Sequence, residues 1–136
     1  MLDRKHLEVL DHEECLQLLG SVCVGRLVFT ENALPAVHPV NFRLHDGAVA
    51  IRVAGGAKLE AATRNYVVAF QADDLEPDLR LGWTVTVVGH AERITDIDEV
   101  VELSGTFLQP WFDGKRGHFV RVRSEKVTGR RLLSPA

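Results

Sequence analysis

The stretch "AVHPVNFRLHDGAVAIRV", Ala36 to Val53, decides the fold. Asp46-Gly47 is a hairpin signal, because both central residues of a tight two-residue turn need positive φ. It joins "AVHPVNFRL" to "AVAIRV", two runs rich in β-branched and apolar residues, and so predicts an antiparallel pair. Pro39 has no N–H to give a ladder, so the first strand should be irregular there or lie at an edge.

Working outward, the chain repeats this style. "SVCVGRLVFT", Ser21 to Thr30, is apolar at nearly every position and suits a strand wrapped in a small barrel. "YVVAFQAD" is a further strand, and "DLEPDLRLG" reads as a polar acidic loop. In "WTVTVVGHAERIT", Trp83, Val85 and Val87 face one way and Thr84 and Thr86 the other. Gly89 marks a bulge or bend of the kind a barrel corner needs. "HFVRVRSEKVTGRRL" reads as one closing strand.

Three short helices are expected. Asp11 with Glu14 forms a capping box before "CLQLL", and Gly20 stops that helix. Lys58 to Arg64 is the second, and the third begins near Asp96 or Asp98. Strands do not alternate regularly with helices, so a doubly wound parallel sheet is not expected. The expectation is a mainly β (β+α) chain: a six-stranded antiparallel barrel with short accessory helices, one domain over residues 1–136.

Composition bounds the function. The chain has 136 residues, a net charge of −3 and two cysteines, Cys15 and Cys23, without metal-like spacing. Nothing in that balance favours nucleic acid or an anionic membrane as a partner. No apolar run approaches a membrane span, and "MLDRKHLEVLDHEEC" is too charged for a secretion signal, so a cytoplasmic location is expected. The six histidines include no H-x-x-x-H or H-E-x-x-H, so no metal centre is expected. No nucleophile elbow or serine–histidine–acid order is visible, and no catalytic acid or base stands out.

The chemistry gathers after the hairpin. In "VAGGAKLEAATRN" two glycines and a lysine lie between a strand and a helix. It is not a Walker A loop, since the Lys-Ser/Thr pair and its spacing are absent. Two readings stay open on these residues: an ordinary strand-to-helix loop, or a seat for a phosphate. Lys58 falls in the first helical turn, where the dipole disfavours a cation unless an anion is near, although Glu60 would partly neutralise it. Arg52 is either a solvated outer-face residue or a guanidinium that reaches a phosphate or a cofactor carbonyl. His38 and Asn41 are expected close to Arg52 across the hairpin, so that His38, Asn41, Arg52 and Lys58 converge at one end of the barrel. Between Lys115 and Arg131, Arg121 and Arg123 alternate with Val120 and Val122, as on a solvated barrel face.

Taken in order, "VGRLVFT", "LPAVHPVNFRLHDGAVAIRVAGGAKLEAA", "GWTVTVVGHAERIT" and "FVRVRSEKVTGRR" resemble the pyridoxamine 5'-phosphate oxidase-like family of FMN-binding split β-barrels, in its small bacterial form. The resemblance runs from about Asp11 to Arg131. It implies FMN as cofactor and a homodimer with flavin at the subunit interface. It also implies a flavin-dependent oxidoreductase acting on a small molecule. In such barrels the "PVN" strand lends backbone to the flavin ring, which maps to His38, Pro39, Val40 and Asn41. The ribityl chain and phosphate map to Ile51, Arg52, Val53, Gly56, Ala57 and Lys58, and Trp111 is the aromatic that completes the pocket from the other subunit. The sequence departs from the true oxidases. It lacks their late arginine- and histidine-containing substrate segment, and it has Ala57 where they tend to carry an arginine. Deazaflavin or haem, or a flavin-holding module without turnover, are the alternatives within the same fold.

Overall fold

The computed structural model describes residues 7–76, 78, 81–106 and 117–133. Its elements run β1 (Leu7–Val9), α1 (His12–Leu19), β2 (Val24–Glu31), β3 (Leu34–His45), β4 (Ala48–Val53), α2 (Ala57–Thr63), β5 (Val67–Glu76), β6 (Leu81–Arg93), α3 (Ile97–Thr106), β7 (His118–Val122) and β8 (Lys126–Leu132). Every strand pairing is antiparallel. Following β6-β5-β2-β3-β4-β7 and then the β6–β7 pairing returns to the start, so six strands close a barrel. β8 and β1 extend the sheet beyond β6.

The barrel interior is filled by alternate residues from the strands. Leu27, Phe29, Phe42, Ile51, Phe70, Val85, Val87 and Val122 are all buried in it. Phe42 and Phe70 meet at its centre with ring centroids 4.6 Å apart. α1 opens as its capping box predicts, with Asp11 Oδ1 accepting from the Glu14 N–H at 2.8 Å. It presses Cys15 against the β8 backbone at Gly129, where a Cβ would collide with the thiol. α3, capped by Asp96, covers the outer face of β4 and β7 and makes a second core from Ala50, Ile94, Leu103 and Phe119.

Three sequence expectations need correction. The acidic "DLEPDLRLG" is the end of a hairpin: Asp74, Leu75 and Glu76 pair with Trp83, Gly82 and Leu81. Gly82, at φ 136°, allows the approach, since a Cβ there would collide with the Asp74 carbonyl. The exposed acids stay in water, so a polar ladder end costs little.

The closing segment is two strands. β7 pairs with β6 at Ala91↔Val122 and β8 pairs with it at Val88↔Lys126, a register that has slipped by one residue. Arg123, Ser124 and Glu125 thus oppose Gly89 and His90, a one-residue bulge. Gly89 is where the sequence places the bend, and its missing side chain admits the Arg123 carbonyl. The His90 N–H donates to Glu125 Oε1 at 2.9 Å and fixes the corner.

Arg121 is not on a solvated face. Its guanidinium donates to both Glu99 oxygens, at 3.0 and 3.3 Å, and lies 2.8 Å from Glu92, tying α3 to the barrel.

Candidate functional site

The site is built where the β3–β4 hairpin opens. The ladder between these strands runs from His45↔Ala48 to Phe42↔Ile51 and ends there. β3 continues back to Leu34 paired on one side with β2, while β4 continues through Arg52 and Val53 paired with Phe119 and His118 of β7. Pro39, paired with Arg26 of β2, therefore lies on a strand whose other side is open, as its missing N–H demands. The opening is bordered by the backbone of His38, Pro39, Val40 and Asn41 on one side. Ile51, Arg52, Val53 and the glycine loop border the other. A free strand edge offers alternating N–H and C=O groups to whatever lies against it.

Arg52 and Asn41 each stand one residue beyond the last β3–β4 pair and share the outer face of the barrel. His38 differs. An odd spacing separates it from Asn41, and its ring turns inward to meet Phe29 edge-on at 5.0 Å. By register Asn41 and Arg52 lie on the same face, while the His38 ring points inward, away from them.

Arg52 is held tightly for a cation. Its guanidinium carbon is 5.6 Å from the centroid of Phe119, a cation–π contact, and its stem lies across Gly117, where a Cβ would collide with it. Its Nε is buried without a hydrogen-bond partner among the described residues. A buried, unsatisfied N–H of a charged group is costly, and a ligand acceptor at this position would remove the cost.

Beyond Val53 the chain turns at Gly55 and Gly56, with φ of 142° and 79°, values that glycine adopts without strain. Gly56 precedes α2 and supplies no side-chain cap, which leaves first-turn N–H groups for other acceptors. Lys58 sits in that turn, half-buried, and burial lowers its pKa from the usual lysine range. Glu60 pairs with Arg64 at 3.1 Å, one turn on. A cavity of about 500 Å³ adjoins the loop and is lined by Gly56, Ala57 and Tyr66, but also by Glu31 and Glu60. Those carboxylates make it unsuitable for an anion. Trp111 lies outside the described residues.

Comparison with known proteins agrees with this architecture. Residues 11–131 match the family model described as pyridoxamine 5'-phosphate oxidase. An uncharacterized protein of Mycobacterium tuberculosis is 41% identical over 130 residues, 92% of this chain and 85% of that protein. The structure of the FAD binding protein from Mycobacterium smegmatis superimposes with a TM-score of 0.77 at 36% identity, covering 93% of this chain and 100% of that one. An FAD-binding protein from Mesorhizobium loti gives 0.76 at 25% identity, covering 92% and 96%. With a closed six-stranded barrel split at β3–β4 and a family match across nearly its whole length, the chain belongs to the pyridoxamine 5'-phosphate oxidase family of flavin-binding split barrels.

Proposed function

We propose that this protein binds FMN and acts as a flavin-dependent oxidoreductase on a small molecule, as a homodimer with a flavin at each end of the subunit interface. The observation that carries the reading is Arg52: a guanidinium packed on Phe119, with a buried N–H that has no hydrogen-bond partner among the described residues, at the mouth of the barrel's split. The backbone of His38 to Asn41, beyond the end of the β3–β4 ladder, suits the polar rim of a flat ring. Gly56, Ala57 and Lys58 suit the phosphate, with Ile51 and Val53 as the buried strand beneath. Bound flavin supplies the redox chemistry, and the chain supplies seat, orientation and positive charge.

The dimer is supported by the outer face of β2, β3 and β5. Val24, Val37 and Val67 are 41%, 56% and 56% exposed there, on one continuous side of the sheet. Large apolar residues exposed on one sheet face, here with Arg26 among them, are consistent with an interaction surface. A second copy would cover them and wall the split, with Trp111 as the residue it contributes.

FAD is the second reading, since the similar proteins from Mycobacterium smegmatis and Mesorhizobium loti are FAD-binding. The mononucleotide half of FAD would use the same seat. Absorbance of the purified protein and the mass of its released ligand test the proposal. A flavin spectrum with the mass of FMN supports it, and the mass of FAD replaces the nucleotide but keeps the site. A Soret band or a deazaflavin spectrum overturns it. NAD(P)H oxidation with generic acceptors tests turnover, and a flavin-loaded protein without it is a binding module.

A further inference from the structure

The closed end of the β3–β4 hairpin carries a second group of polar side chains, three residues along β3 from Phe42, or about 10 Å at strand rise. His45 ends β3, Asp46 begins the turn, and Glu99 reaches down from α3. His45 Nε2 is 3.3 Å from Glu99 Oε2 and 3.6 Å from Asp46 Oδ2, and the three ligand atoms all lie within 4.8 Å of one another. The imidazole is 10% exposed. Its Nε2 is buried and has no hydrogen-bond partner among the described residues, although two carboxylates flank it.

That geometry is compatible with a shared ion. Nitrogen and oxygen ligands sit at about 2.0–2.2 Å from a divalent transition metal, which places tetrahedral neighbours roughly 3.4 Å apart. The 3.3 and 3.6 Å separations fall there. Arg121 donates to both oxygens of Glu99. Arg121 also orients it, as outer partners of metal ligands do. The neighbourhood is anionic: Asp46, Glu92, Glu99 and Glu125 face Arg121 and Arg123. A cavity of about 380 Å³, lined by Asp46, Gly47, Glu92, Arg121 and Ser124 among others, adjoins the site at Asp46. Ser124 Oγ donates to the Gly47 carbonyl at 2.6 Å and steadies the turn.

We propose that His45, Asp46 and Glu99 bind a divalent transition-metal ion of the Zn2+ or Co2+ type, with water completing its shell. The ion fastens α3 to the β3–β4 hairpin. This site is independent of the flavin reading and shares no residue with it.

The test is calorimetric titration of ZnCl2 into the protein as purified, after chelator treatment and desalting, with CoCl2 absorbance in parallel. One ion per chain is expected, with a raised melting temperature and a visible Co2+ band characteristic of a low-coordinate site. His45→Asn should abolish the binding. Asp46→Asn should weaken it at least tenfold while leaving the metal-free melting temperature unchanged, since asparagine tolerates the Asp46 turn conformation at φ 50°. Absence of heat and colour overturns the proposal and leaves the triad as a histidine held by two carboxylates. Unaltered zinc affinity in both variants also overturns it, because the ion then lies elsewhere.

Discussion

Gly117 and Arg52 share one space: the stem of the arginine runs where a side chain at position 117 would stand. The glycine is thereby a determinant of where the guanidinium points. Gly117 has no left-handed φ, so alanine there adds a methyl group without backbone strain. Gly117→Ala is expected to displace Arg52 and to lower flavin affinity on the order of tenfold, the scale of one charge-assisted hydrogen bond. Arg52→Ala should cost at least as much, and the double variant no more than Arg52→Ala. Additive losses in a flavin titration would separate the two residues and refute the coupling.

Lys58→Ala is expected to weaken FMN by about 1.5–3 kcal/mol and riboflavin hardly at all, because the lost contact is to the phosphate. Burial has lowered the Lys58 pKa in the ligand-free protein, and an anion would raise it again. Bound protein therefore holds the proton more firmly than free protein. Affinity for FMN should be full at pH 7 and decline as pH rises through the lowered lysine range. Equal losses for FMN and riboflavin would remove Lys58 from the phosphate seat.

The Glu99–Arg121 pair predicts acid sensitivity. Hydrogen bonding from Arg121 depresses the Glu99 pKa, so the native state binds this proton less readily than the unfolded chain. Its contribution is present above the ordinary carboxylate pKa, about 4.3, and is lost as pH falls through the depressed native value. Glu99→Gln should lower the melting temperature at pH 7 and show a smaller loss than wild type on acidification. Parallel melting-temperature profiles for the two proteins would contradict this.

The two cysteines should differ in reactivity. Cys15 is buried against Gly129, and desolvation, followed by Asp11 and Glu14, raises its pKa. Cys23 is exposed. A disulfide-type thiol reagent should titrate one thiol quickly in native protein and two after denaturation. Two fast thiols in the native state would place α1 off the barrel.

The barrel was legible because its signals are local. Asp46-Gly47 gave the hairpin, alternation gave the inner face of β6, and Gly89 gave the corner. What was missed depends on partners distant in the chain. A one-residue register slip between Val122 and Lys126 leaves no mark in a run of alternating residues, so β7 and β8 looked like one strand. Arg121 looked solvated because α3, which supplies Glu99, covers a face that the strand pattern alone leaves open. The candidate seat residues follow from resemblance more than from pattern, and Pro39 is the one whose edge position follows from its own chemistry. Parity along β3 sends His38 inward, away from Asn41, against the expectation from its place beside Pro39. The triad of His45, Asp46 and Glu99 escapes any search by spacing, since two elements meet there from opposite halves of the fold.

β7 pairs with both β4 and β6, and among the described residues it is the only strand that joins them directly. During synthesis the hairpins β2–β3, β3–β4 and β5–β6 connect near neighbours and form early. Until residues 118–122 leave the ribosome, however, β4 and the far end of β6 remain raw edges on an open sheet. Such edges invite pairing with other chains. The nascent polypeptide should therefore pass through a window of heightened aggregation risk, and a chain truncated before His118 should be found with chaperones or in inclusion bodies, even though nearly all of its apolar core has been made.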